Sequence, residues 1–138
     1  MSQTKQVAKA PQFALPFSHA VRAGDFVYVS GQVGVDPLTN EVVGDTIEEQ
    51  TKQCLRNVEI ILESEGLTLD HVIKSNAFVS KTQYFPGYNK TYAEVFNHPY
   101  PARTTAPVDM GAYLVEIDVI AYAPSKRKES SSASIDSV

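Results

Sequence analysis

The chain has 138 residues, 43% hydrophobic and 20% charged, which bounds it to one domain with a real core. A net charge of −4 argues against a surface that tracks nucleic-acid phosphates, and the one basic cluster, Lys126-Arg127-Lys128, falls in a polar tail. The single cysteine excludes an internal disulfide, no apolar run reaches the roughly 18 residues that cross a bilayer, and the expected compartment is the cytoplasm, with the mitochondrial matrix as the alternative.

Residues 1–14 are polar and mixed and read as a flexible arm; the single domain spans 15–124. Leu15 to Arg22 reads as a short extended segment, Ala23-Gly24-Asp25 as a turn and Phe26 to Val33 as a strand, so a hairpin is predicted. Val27 and Val29 face one way; Tyr28, Ser30 and Gln32 face the other. Gly31 inside this strand marks a bulge or a close backbone approach. After the loop Asp36 to Asn40, Glu41-Val42-Val43 is predicted as a short edge strand.

Thr46 with Glu49 three residues on fits a capping box, so a helix is predicted to begin there. Ile47, Thr51, Cys54, Leu55, Val58, Ile61 and Leu62 recur at helical spacing, and Gly66 supplies the stop. Cys54 lies in that stripe and reads as a packed thiol. Val72 to Val79 is the next strand, with Ile73, Ala77 and Val79 on its apolar face. A second helix is predicted from about Pro86, with Tyr88, Tyr92, Val95 and Phe96 as its stripe and Asn89 beside it.

Two extended segments follow, Pro101 to Pro107 and Tyr113 to Tyr122. The second alternates: Val115, Ile117, Val119 and Ala121 share one face, while Leu114, Glu116, Asp118, Ile120 and Tyr122 share the other. A five-residue connection containing Gly111 is predicted to fold the two segments into an antiparallel pair. Beyond Pro124 the composition turns to Ser, Lys and Glu, and 125–138 reads as a disordered tail.

This order predicts an α+β fold, one sheet with two helices packed on one face. The other face, with Tyr28, Leu114, Ile120 and Tyr122, is too apolar to be left wet, and self-association is expected to bury it.

His19, His71 and His98 are dispersed and there is no cysteine cluster, so no metal site is expected. No phosphate loop, nucleophile elbow or dinucleotide fingerprint appears, and no cofactor is expected. What remains is Arg103 with Glu116, flanked by Ser30, Gly31 and Thr105. Arginine matches a carboxylate with two parallel hydrogen bonds, and a nearby glutamate can hold a water and move its proton. On pattern alone, an ordinary cross-strand ion pair is the simpler reading, with Asp118 a solvated neighbour.

The chain resembles the reactive intermediate deaminase family (RidA, also called YjgF). The pieces that carry the resemblance occur in order: Pro16-Phe17-Ser18, Val29-Ser30-Gly31-Gln32, Glu48-Glu49-Gln50-Thr51 with Asn57, Tyr88-Asn89-Lys90-Thr91-Tyr92, Pro101-Ala102-Arg103, Val115-Glu116-Ile117 and Ile120-Ala121. Each is weak alone; together they are specific. The resemblance implies a chorismate-mutase-like α+β fold with one mixed sheet. It also implies a homotrimer with a central barrel and sites in clefts between subunits. The implied activity is cofactor-independent hydrolysis of enamines and imines such as 2-aminoacrylate to 2-keto acids and ammonia. A ribonuclease role sometimes attached to the family fits an acidic chain poorly, and neither a nucleic-acid nor a membrane partner is expected.

By that resemblance, Arg103 clamps the substrate carboxylate and Glu116 orients the attacking water. Phe17, Ser30, Gly31, Asn89 and Thr105 bind substrate, with the backbone at Gly31 and Thr105 available to it. Phe17 stands where the family often has tyrosine, and Thr105 replaces a frequent cysteine. The connection from Thr105 to Glu116 is also shorter than is common in the family. The alternative is a binding module that holds a small carboxylate or keto acid in the same cleft without turnover.

Overall fold

A computed structural model describes residues 2–124, so the tail expected over 125–138 lies outside the described residues. One mixed sheet is built from β1 Ser2–Lys5, β2 Ala20–Ala23, β3 Phe26–Val33, β4 Val72–Val79, β5 Ala102–Pro107 and β6 Val115–Tyr122. Two helices, α1 Ile47–Glu63 and α2 Phe85–Val95, pack against it and against each other. In space the strands run β1-β2-β3-β6-β4-β5, all antiparallel to their neighbours except the parallel pair β4 and β5. The predicted α+β class and one-sided helix layer hold.

Helix α1 starts as its sequence dictates. Thr46 Oγ1 accepts from the Glu49 N–H at 3.1 Å, and Glu49 Oε1 accepts from the Thr46 N–H at 3.3 Å. Such a box stabilises a helix start by about 1 kcal/mol. The whole expected stripe, Ile47 through Leu62, is buried against the sheet, and Gly66 with φ of 74° turns the chain away. Cys54 is fully buried and its Sγ donates to the Gln32 carbonyl at 2.7 Å; burial drives its thiol well above the ordinary range, so it is inert packing.

Two buried polar residues on α1 were not anticipated from the pattern. Asn57 Nδ2 donates to the carbonyls of Val33 and Val35 at 3.1 and 2.9 Å. Gln50 donates to the Gly44 carbonyl at 2.8 Å and accepts from the Leu114 N–H at 3.0 Å, tying the approach to β6 onto the helix.

Five expectations need correcting. Residues 1–14 do not read as a free arm where described: Ser2–Lys5 pairs antiparallel with β2, and Val7 and Ala10 enter the core. Lys5 and Arg22 hold the shared Glu65 carboxylate at 3.4 and 3.7 Å, fixing that edge to the end of α1. The strand expected at Glu41-Val42-Val43 reduces to a single bridge between Val35 and Val42. In β3 a register shift between Val29 and Gln32 turns Gln32 inward, as the Gly31 bulge implied but the simple alternation did not. A like shift between Val72 and Lys74 leaves Ile73 exposed and buries Val72 in its place. Finally, β5 and β6 do not pair with each other; β4 lies between them, parallel to the first and antiparallel to the second.

Candidate functional site

The position of β4 decides the geometry of the site. Ser75 is opposite Arg103 and Phe78 is opposite Glu116. Three residues along one strand is about 10 Å, and an odd separation puts the two side chains on opposite faces of the sheet. The expected cross-strand ion pair between Arg103 and Glu116 therefore does not form.

Arg103 stands on the helix side. Its guanidinium carbon is 5.2 Å from the ring centre of Tyr88 and 5.0 Å from that of Tyr92, both presented by α2. Rings at that distance attract a cation through their negative faces and hold the planar fork in place. Asn89, one residue on from Tyr88, accepts from Nη2 at 2.6 Å. Among the described residues no carboxylate pairs with Arg103, so the fork keeps donors to offer. It faces a cavity of about 350 Å³ lined by Asn89, Tyr92, Ala93, Tyr100 and Pro101.

Below the fork the cradle is braced. Tyr92 and Ser75 share a buried hydroxyl–hydroxyl hydrogen bond of 2.8 Å. Burial raises the pKa of both phenols; for Tyr88 the neighbouring Thr105 hydroxyl and the Arg103 charge pull partly back. Tyr88 Oη and Thr105 Oγ1 are nonetheless buried without a well-formed hydrogen bond. Thr105 thus lies under Arg103, and its side chain faces the core.

Glu116 stands on the open face in a second hollow of about 160 Å³, shared with Phe13, Leu15, Phe17, Gly31, Val33 and Tyr113. It is half-buried, and burial raises its pKa, with the nearby Asp118 charge adding to the rise. Asp118 accepts from Asn76 Nδ2 at 3.0 Å, which fixes that second carboxylate in place. Gly31 leaves room for Glu116: a Cβ there would push the Glu116 carboxylate out of this position.

The Ser30 hydroxyl donates to the Ser18 carbonyl at 2.6 Å, which commits its proton and leaves its oxygen able only to accept. That bond holds the Pro16–Phe17 turn beside β3. Of the residues singled out in the sequence, the structure thus brings Arg103, Asn89 and Thr105 together in one place and Phe17, Gly31 and Glu116 in another, with Ser30 bracing the latter. The aromatic cradle of Tyr88 and Tyr92 was read only as a core stripe, because helical spacing cannot tell a ring that packs from a ring that also carries a cation.

Known proteins are similar to this chain in sequence and in fold. Residues 7–123 match the family described as Endoribonuclease L-PSP. A RutC family protein of Saccharolobus solfataricus is 44% identical over 115 residues, 82% of this chain and 91% of that one. A 2-iminobutanoate/2-iminopropanoate deaminase of Dermatophagoides farinae is 38% identical over 99 residues, 72% of this chain and 77% of that one. The crystal structure of RidA from an Antarctic Psychrobacter superposes with a TM-score of 0.82 at 35% identity, covering 87% of this chain and 98% of that one.

The chain belongs to the RidA/YjgF family. Membership supports a deaminase-type enzyme with a small-molecule site. Among the described residues no helix is long and apolar enough to cross a membrane.

Proposed function

We propose that the protein is a hydrolytic deaminase of reactive 2-imino acids and their enamine tautomers, acting without a metal or organic cofactor in the cytoplasm. The observation that carries this reading is the Arg103 fork, held 5.2 and 5.0 Å from two ring centres, unpaired with any described carboxylate and open to a cavity. Such a fork fits the carboxylate common to every 2-imino acid.

The chemistry asks for little more. Water adds to the imine carbon while Glu116 takes one of its protons. Glu116 gives that proton to the imine nitrogen, completing the carbinolamine. It then takes the hydroxyl proton as the carbonyl forms and delivers it to the leaving nitrogen as the C–N bond breaks, so that ammonia and a 2-keto acid depart. A carboxylate whose pKa is raised by burial is a stronger base than an exposed one, which suits it to this shuttle. Because the imine is already electrophilic, placing water and substrate in contact supplies most of the rate.

Arg103 and Glu116 lie on opposite faces of one sheet, so the working site is assembled between two copies. Tyr28 and Tyr122, exposed on the open face, and the half-buried Ile120 supply apolar surface for the contact. A closed homotrimer meets both needs, each boundary joining the Arg103 hollow of one copy to the Glu116 hollow of the next.

The test is to generate 2-aminoacrylate or 2-iminobutanoate in situ and time the release of keto acid. Acceleration at micromolar protein is the expected result; none over buffer rejects the proposal. The separation of the two groups also favours a second reading, a module that holds small carboxylates at Arg103 without turnover. Calorimetric binding of keto acids by a sample inactive on several imines selects it. RNA cleavage suits neither hollow, since a chain of net charge −4 offers phosphates little counter-charge.

A further inference from the structure

The hollow in front of Glu116 is apolar on all sides but one. Phe13, Leu15 and Phe17 come from the stretch before β2, Val33 from β3 and Tyr113 from the approach to β6. Hydrogen bonds at both ends of the stretch before β2 hold this wall in place. The Phe17 N–H donates to the Leu15 carbonyl at 2.9 Å, and Gln6 Nε2 donates to the Phe17 carbonyl at 3.3 Å. His19 pins the start of the segment, accepting from the Val7 N–H at Nδ1 and donating from Nε2 to the Pro11 carbonyl, both at 2.8 Å.

The wall therefore does not collapse onto itself. Leu15 remains 61% exposed and Phe17 39% exposed, beside a carboxylate that is itself partly desolvated. Apolar surface held rigidly around a polar group is the ordinary make-up of a ligand pocket. Its size is informative. At about 160 Å³ this open hollow has room for a group the size of a benzene ring, which enclosed apolar cavities of roughly 150 Å³ take up. The methylene of 2-aminoacrylate leaves most of that space to water.

We infer that this hollow receives the substrate's side chain, and that the preferred substrates are 2-imino acids with aromatic or branched aliphatic side chains. The inference rests on the deaminase reading for the orientation: carboxylate on Arg103, imine carbon at the water held by Glu116, side chain against Leu15, Phe17 and Val33. With phenylalanine at position 17, the wall offers no hydroxyl there to a polar side chain.

The experiment forms three imines in situ with an amino-acid oxidase, from phenylalanine, leucine and alanine, and compares kcat/KM for each. The expected result is a preference of at least about tenfold for the first two over the third, the scale on which apolar pockets discriminate by size. In Leu15→Ser and Phe17→Ser, both changes at exposed positions, that ratio falls toward one. A wild-type ratio at or below one, or a ratio that neither variant moves, overturns the inference while leaving the deaminase reading intact. Inactivity on all three imines rejects that reading instead. Calorimetry with phenylpyruvate and pyruvate then decides the pocket alone: tighter phenylpyruvate binding supports it, and equal or weaker binding overturns it.

Discussion

The two hollows differ in how they treat charge. Around Arg103 the protein supplies ring faces and an amide oxygen, which leave a permanent cation charged and aligned. Around Glu116 it supplies burial and a second carboxylate, which penalise the anion and make it more willing to take a proton. One side is built to hold a charge still and the other to let a charge change. The sheet keeps them on opposite faces, so neither hollow disturbs the other's electrostatics within one copy.

The largest expected effect tests that division directly. Arg103→Ala and Glu116→Gln should each lose at least about a hundredfold in kcat/KM, the scale of removing a key electrostatic partner. Refolded together in equal amounts, the two dead variants should recover about a quarter of wild-type activity. At each boundary of the proposed trimer the intact Arg103 and intact Glu116 each appear with a chance of about one half. No recovery in a mixture shown by native mass spectrometry to contain hybrid oligomers means that the two groups do not meet across a boundary.

Glu116→Gln carries a second, opposite signature. Its raised folded-state pKa means the native chain binds more protons than the unfolded chain between the ordinary carboxylate value and the raised one. Native stability therefore falls as pH rises through that window and stays reduced above it. The inactive variant, which has no anion to bury, should melt above wild type at pH 8, and the gap should close as the pH is lowered through the window. Thermal scans at several pH values check this.

Next in size is Arg103→Lys, with kcat/KM down about a hundredfold or somewhat less, because a point charge cannot reproduce two parallel bonds or the guanidinium's contact with the Tyr88 and Tyr92 rings. Asn89→Ala should be milder. It removes one bond to the fork, worth about tenfold for a charged partner, and should appear mainly as a raised KM. Steady-state kinetics on one imine separates the two.

Much of this was legible in the residues, and the boundary between what was and was not is physical. Helix α1 could be placed because its signals are local: the Thr46–Glu49 box, a stripe at helical spacing and Gly66. Strand β6 could be given its two faces because alternation is local too. The partner of β5 is a long-range choice. A short connection favours pairing with β6, yet β4, α2 and β5 follow one another as strand, helix and strand, the pattern of a parallel unit, and that pattern won. That choice decides whether Arg103 and Glu116 can pair, because with β4 between them they stand on opposite faces. Ile73 and Gln32 were misplaced because one extra residue reverses every face beyond it. Strand β1 was hidden because an edge strand needs only its backbone, and Ser-Gln-Thr-Lys carries no apolar mark. Gln50 and Asn57 were read as merely polar, whereas they are buried to satisfy loop backbone.

The smallest expected effect asks how much of the Glu116 behaviour comes from its neighbour. Burial is the larger cause of its raised pKa and the Asp118 charge the lesser one. Asp118→Asn removes only the second, while its remaining side-chain carbonyl can still accept from Asn76. If Glu116 must be ionised to take a proton from water, kcat/KM falls on the acid side as that group is protonated. In the variant the falling limb should move to lower pH, since the anion no longer faces a like charge. It should stay above the position of an exposed glutamate, because burial by Phe17, Val33 and Tyr113 is unchanged. A limb that does not move assigns the effect to burial alone. A limb that moves to higher pH means that Glu116 is not the group whose ionisation sets the rate, and the proton shuttle must then be sought on the Arg103 side of the boundary.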